Sequence, residues 1–360
     1  MNVHEPKGSR TSVAYPSGDD RLPQIVDGGG GARVHLTMAV ADYDHMRDLV
    51  HGVVRPEGIL LTAFTMEIVE SIFFRFIKHR EFDVSEMSFA KYLALISRGD
   101  SPIVGIPIFP SRVFRHSGIY VRTDKGIRTA KDLEGRTVAI PEWAQTAGIY
   151  ARGMLSEYYG VDLTSIRWVQ AGVNEPGRVE KIDLALPGTI RYQSRPDTSI
   201  SAMLASGEVD AAISARTPQV FIDGHPEIMR LFPDYRAEEL KYFQKIGIFP
   251  IMHLIAMRRT VFEQHPWSAM NLFVAAEEAK RRSLERIGHI GVAAVPMPWA
   301  AGFLEECAAT FGADPFPYGL DTNRPTLEAF CRFAHDQHVT EPLLTPDDLF
   351  PPELRAVSRS

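Results

Sequence analysis

The segment Phe109-Pro-Ser-Arg-Val-Phe-Arg-His116 places Arg112, Arg115 and His116 within five residues. An arginine can grip a carboxylate through two parallel N–H donors. A histidine titrates near neutral pH and can give or take a proton. The chain has 39 Lys+Arg against 45 Asp+Glu, a net charge of −6, so this cluster is a local exception suited to an anion. Arg112 and Arg115 are therefore expected to bind the ligand, with Arg115 reading equally as the partner of a surface acid. His116 is the first choice for proton transfer, its other reading a satisfied structural histidine. Glu86, between Ser85 and Met87, is a second candidate. Burial would raise its pKa and let it act as an acid or accept a proton; its other reading is a hydrogen-bond anchor between loops. His253 follows the apolar run 248–252 and reads equally as a core histidine or a catalytic one.

Around the start of a predicted helix lie Glu142, Gln145 and Thr146, where backbone N–H groups favour an anion. Arg216 could clamp the same ligand from the strand end before it. Tyr43 and Ser88 also sit at predicted strand ends. Cys331, His335 and His338 fall at i, i+4 and i+7 and could offer three zinc ligands. Leu327, Phe330 and Ala334 share that helix and no fourth ligand is adjacent, so no metal is expected, and no cofactor.

Composition narrows the class. With 45% hydrophobic and 23% charged residues in 360, the chain has the balance of a globular protein of about two domains. Mild acidity argues against nucleic acid as a partner. No apolar run reaches the roughly 18 residues of a membrane span; the best, 246–257, is broken by Gly247, Pro250 and His253. Two cysteines, Cys307 and Cys331, exclude a disulfide scaffold. Residues 1–33 carry scattered Pro, Gly and charge with no apolar stretch, which reads as a disordered leader and a cytoplasmic protein. Association into a homo-oligomer is left open.

These residues need elements to hold them. Alternation predicts strands over 34–40 and 59–64, and a helix with one apolar face over 66–79. Short strands follow at 82–84, 103–109 and 117–122. From 129 to 240 strand and helix alternate, with strands at 136–140, 166–169, 183–186 and 209–214, the pattern of parallel βαβ units. Helices return at 266–287, 300–311 and 326–338. Two α/β lobes of this kind face their loops into a shared crevice, the default place for a ligand.

Asp132-Leu-Glu-Gly-Arg-Thr-Val138 and Met203-Leu-Ala-Ser-Gly-Glu-Val-Asp-Ala211 resemble segments of two-lobe periplasmic-binding-protein-like (type II) α/β folds, which hold a ligand cleft between lobes. Phe82-Asp-Val-Ser-Glu-Met-Ser88, Phe109–His116, Glu175-Pro-Gly-Arg178 with Glu180-Lys181, Leu231-Phe-Pro-Asp-Tyr235, Gly247-Ile-Phe-Pro-Ile-Met-His253 and Tyr318-Gly-Leu-Asp-Thr-Asn-Arg324 resemble motifs of 4,5-dihydroxyphthalate decarboxylases. The resemblance spans about residues 35–350. It implies lobe 1 from 34–128 plus 245–360, lobe 2 from 129–244, and conversion of a dihydroxylated phthalate to protocatechuate and CO2. Such chemistry asks for cations to hold two carboxylates, an acceptor for a phenol proton and a proton donor at the ring. The alternative on the same fold is a non-catalytic binding protein or sensor for an aromatic carboxylate.

Overall fold

The computed structural model describes residues 22–28, 31–99, 101–182 and 184–356. Its strands form two six-stranded sheets. The first holds β1 (Gln24–Gly28), β2 (Gly31–Val40), β3 (Ile59–Thr65), β4 (Val84–Ser88), β5 (Ile103–Arg112) and β12 (Ile251–Arg258). Its order is β1-β2-β4-β12-β5, with β3 on the other side of β2. The second runs β11-β6-β10-β7-β8-β9. It is built from β6 (Ile119–Arg122), β7 (Thr137–Ile140), β8 (Arg167–Gly172), β9 (Arg191–Ser199), β10 (Ala211–Ile213) and β11 (Ile228–Arg230).

Each sheet is mixed rather than wholly parallel. Strands β2, β3 and β4 run parallel, as do β10, β7, β8 and β9. β6 and β12 run antiparallel to their neighbours. These two follow the passages from one sheet to the other, at 113–118 and 231–250, the second of which carries helix Tyr235–Ile246. Each arrives from the opposite sheet rather than from a parallel neighbour in its own, and so is free of the parallel constraint. The first passage thus comes before the expected boundary at 128, because β6 pairs in the second sheet. Gly118 marks that passage: a Cβ there would lie 2.7 Å from the Ser214 carbonyl oxygen.

Several expectations change. The leader was expected to run to residue 33; residues 1–21 lie outside the described ones, but β1 pairs antiparallel with β2, Gln24 opposite His35. Ordered structure therefore starts well before Val34. No strand occupies 184–186, and Asp183 lies outside the described residues; β9 fills that place in the sheet. β12 escaped notice because a strand buried on both faces reads as a continuous apolar run rather than an alternating one.

The tail ties the two sheets together. Helix Arg324–Asp336 puts Phe330 between Phe89, stacked at 4.6 Å, and Tyr150, stacked at 4.5 Å. Phe333 packs so closely on helix Thr146–Glu157 that a Cβ on Gly153 would lie 2.4 Å from its ring. Beyond the helix, the Gln337 carbonyl accepts from the Trp143 indole at 2.7 Å and its side-chain oxygen from Arg152 at 2.7 Å. The tail was assigned to lobe 1, yet it packs on elements that flank both sheets. Among the described residues, no helix is long and apolar enough to cross a membrane.

Candidate active site

A cleft of about 330 Å³ opens between the sheets. Ser88, Arg115, Glu142, Gln145, Thr146, Arg216 and His253, all expected at the site, line it together with Glu70, Phe73, Lys91 and Arg178. β4 ends here in Ser88, the residue that starts helix Phe89–Ile96. Helix Thr146–Glu157 starts on the facing side. The two helix starts are stitched together: the Ser88 and Thr146 hydroxyls lie 3.1 Å apart, and the Ala90 amide donates to Thr146 Oγ1 at 3.0 Å. Backbone N–H groups at such starts favour an anion. Nearby, the buried side-chain oxygen of Gln145 has no hydrogen-bond partner among the described residues.

His253 sits on β12 opposite Ser88 on β4 and Ser111 on β5. The β5 ladder slips on both sides of this position. Pro107 and Pro110 in β5 have no N–H to give, so the regular ladder breaks there and re-aims the local side chains. Nδ1 of His253 donates to Glu86 Oε1 at 2.6 Å. The Tyr43 hydroxyl donates to the same oxygen at 2.6 Å, and the Ala41 amide to Oε2 at 2.8 Å. The Phe73 ring meets the imidazole edge-on at 5.0 Å. Nε2 has no hydrogen-bond partner among the described residues and is the ring nitrogen left for the cleft.

Glu86 is fully buried. Burial alone would raise its carboxyl, but the hydrogen bond and charge of His253, with donation from Tyr43 and the Ala41 amide, hold it below the ordinary glutamate value. This corrects the expectation of a raised carboxyl serving as the acid. Glu86 stays a carboxylate and orients His253. Tyr43, expected to touch the ligand, does not line the cleft; burial and then Glu86 push its hydroxyl well above the usual tyrosine range.

The charged lining is lopsided. Lys91, Arg115, Arg178 and Arg216 face Glu70 and Glu142, four cations to two carboxylates. Arg178 donates to Glu142 Oε1 at 2.9 and 2.7 Å. Lys91 lies 3.9 Å from Glu142 Oε2, and burial lowers its ammonium below the usual lysine value. Arg216 reaches Glu70 Oε2 at 2.8 Å. Arg115 has the most spare capacity: its Nε donates to the Met252 sulfur at 3.1 Å, and no carboxylate among the described residues lies within 4 Å. Burial pushes its pKa down to about 10 against the pull of Glu239.

Like Tyr43 and Glu86, two more expected residues do not line the cleft. Arg112 turns away from the cleft and donates to the Pro317 carbonyl at 3.0 Å, Asn323 Oδ1 at 2.7 Å and the Phe249 carbonyl at 2.8 Å. Its guanidinium also covers the Phe249 ring at 4.5 Å. It is a tie to the tail. His116 is fully buried among Tyr159, Phe232 and Tyr242, with ring centroids 5.2–6.0 Å away, and among the described residues neither ring nitrogen has a hydrogen-bond partner. Burial pushes its pKa down to about 4, so it is neutral and out of reach of a ligand in the cleft.

No family model matches the chain. It is 36% identical over 322 residues to the 4,5-dihydroxyphthalate decarboxylase of Comamonas testosteroni, covering 89% of this chain and 97% of that relative. The chain belongs to the 4,5-dihydroxyphthalate decarboxylase family. A relative of the same name from Pseudomonas putida is 40% identical over 216 residues, 60% of this chain and 83% of its own. Among solved structures, the periplasmic aliphatic sulphonate binding protein SsuA from Escherichia coli superposes with a TM-score of 0.51 at 12% identity, covering 91% of this chain and 94% of that one. That likeness shows the fold, a two-lobe α/β fold of the periplasmic-binding-protein type.

Within this decarboxylase-family fold, sequence reasoning missed Lys91, Arg178 and Glu70 as lining residues. Lys91 had a readable signal: it is the one charge in Phe-Ala-Lys-Tyr-Leu-Ala-Leu-Ile, three residues after Ser88. Arg178 closes the quoted Glu175-Pro-Gly-Arg178 motif. Glu70 had none, since a carboxylate in the first turn of helix Val69–His79 reads as ordinary helix chemistry. Among the described residues, no group of three or more His, Cys, Asp and Glu is placed to hold a metal ion.

Proposed function

We propose that this chain is a carboxy-lyase that converts 4,5-dihydroxyphthalate to protocatechuate and CO2. One observation carries the reading at the level of the site: His253, fixed through Nδ1 to the buried Glu86, turns its free nitrogen into a cleft with a surplus of cations. Arg115 and Lys91, with the amides at the start of helix Thr146–Glu157, hold the carboxylates. Arg178 and Arg216 close the opposite wall. Glu142, already gripped by Arg178, accepts the hydrogen of the ring hydroxyl para to the leaving carboxylate.

As that hydroxyl gives up its proton, electron density moves to the ring carbon that bears the carboxylate. His253 Nε2 delivers a proton to this carbon, and the Glu86 carboxylate balances the charge on the ring while it carries that proton. The carbon–carboxylate bond then breaks, its electron pair restores the aromatic ring, and CO2 departs. The phenol proton returns from Glu142, and water reprotonates His253. One proton is consumed per CO2 released. Tyr43 and Glu86 are positioning groups, since neither touches the ring.

The purified protein given 4,5-dihydroxyphthalate should release CO2 and form protocatechuate, and in D2O the product should carry one deuterium at the vacated carbon. Absence of turnover with intact ligand binding would instead make the chain a binding protein for an aromatic carboxylate. The reaction is placed in the cytoplasm as part of this proposal, in keeping with unpaired Cys307 and Cys331; fractionation of the native host tests it.

A further inference from the structure

The reaction cleft does not end at Phe73. Beyond that ring lies a second cavity of about 310 Å³, walled by Phe73, Phe74, Ile77, Ala94, Leu95 and Ile182. The two cavities share Glu70, Phe73 and Lys91. Phe73 is thus both the edge-on neighbour of His253 and the partition between the chambers. Among the described residues the rim of the second chamber is cationic: Lys78, Lys91, Arg98 and Lys181 stand against the carboxylate of Glu70.

A dihydroxyphthalate has polar groups on four of its six ring carbons and brings no apolar surface to such a chamber. The first cavity alone is of the size that small ligands occupy. An apolar chamber beside it is useful only to a ligand that carries apolar surface out of water. The cationic rim favours a ligand that is also an anion.

We propose that this chamber is an extension of the active site for aromatic ortho-dicarboxylates that bear an apolar substituent, such as a second ring. The carboxylates occupy the reaction cleft, and the substituent lies against Phe73, Ile77 and Leu95. The assignment rests on the decarboxylase reading of the cleft, and its test separates the two.

Calorimetric titration of the full chain would compare phthalate with biphenyl-3,4-dicarboxylate, which is phthalate carrying one phenyl group. Burying that phenyl should tighten binding by about tenfold or more. Leu95→Trp fills the chamber from a half-buried position and should abolish the gain. It should leave phthalate affinity and turnover of 4,5-dihydroxyphthalate within about twofold. Ile77→Trp repeats the test from helix Val69–His79, should the first variant fail to fold. Equal or weaker binding of the biphenyl acid by the unaltered protein overturns the proposal, as does a gain that survives a folded Trp variant. Failure of phthalate itself to bind overturns the cleft reading, and the extension falls with it.

Discussion

The surroundings of His253 and of His116 differ in every respect that matters for proton transfer. His253 has one nitrogen on a buried carboxylate and the other facing a cleft. His116 has aromatic rings around it and, among the described residues, no hydrogen-bond partner for either nitrogen. The same contrast separates Arg115 from Arg112, three residues apart. Arg112 spends donors on the carbonyls of Pro317 and Phe249 and on Asn323, while among the described residues Arg115 holds only a weak sulfur acceptor. Closeness to a strand end does not make a residue functional. What counts is the side of the strand it leaves from, and whether its polar atoms are already used.

The largest effect should fall on the histidines. His253→Asn should lower kcat by about 10²–10⁴-fold while the protein stays folded, the usual reach of a positioned proton donor. His116→Leu should leave kcat and KM within about twofold. Steady-state kinetics with a thermal melt for each variant checks both, and the reverse pattern would return His116 to the mechanism. The arginines should split differently. Arg115→Ala should raise KM about ten- to a hundredfold, the worth of a charged hydrogen bond to a carboxylate, with little change in stability. Arg112→Ala leaves buried carbonyl groups unpaired and should cost about 2–4 kcal/mol of stability, with KM nearly unchanged. A KM effect from Arg112→Ala alone would break the comparison.

Much of this was legible in the sequence, and the misses share a cause. Helices with a clear apolar period came through nearly to the residue: the expected 300–311 is the observed Ala300–Phe311. The cleft was legible because strand ends converge on it, and seven of the expected residues do line it. Sidedness was not. In Arg112 to His116 the chain leaves one sheet and enters the other, with no regular period to say which side chains face inward. For Glu86 the sequence offered a raised, buried carboxyl or a hydrogen-bond anchor; its ionisation depends on Tyr43, the Ala41 amide and His253, and His253 is far away in the chain. A carboxyl in an apolar site and one accepting three hydrogen bonds have opposite pKa shifts, and only tertiary structure tells them apart.

The smallest effect is a slope, and it tests how the sealed region behaves. His116 Nδ1 lies 3.9 Å from Glu239 Oε1, an oxygen without a hydrogen-bond partner among the described residues. Burial lowers His116 to about 4 and raises Glu239 to about 7. For His116, the unfolded chain binds more protons between about 4 and the ordinary 6.5, so its contribution to stability grows as pH rises through that window. For Glu239, the folded chain binds more protons between the ordinary value near 4.3 and about 7, so its contribution shrinks as pH rises. The two contributions oppose each other across about pH 4.5–6.5. Relative to the unaltered protein, His116→Leu removes the rising contribution, so the slope of stability against pH should turn more negative. Glu239→Gln removes the falling one, so the slope should turn more positive. Urea unfolding at several pH values reads these slopes directly. Like signs in the two variants would mean that the pair is wetter than its packing indicates, and that His116 is less different from His253 than the geometry makes it.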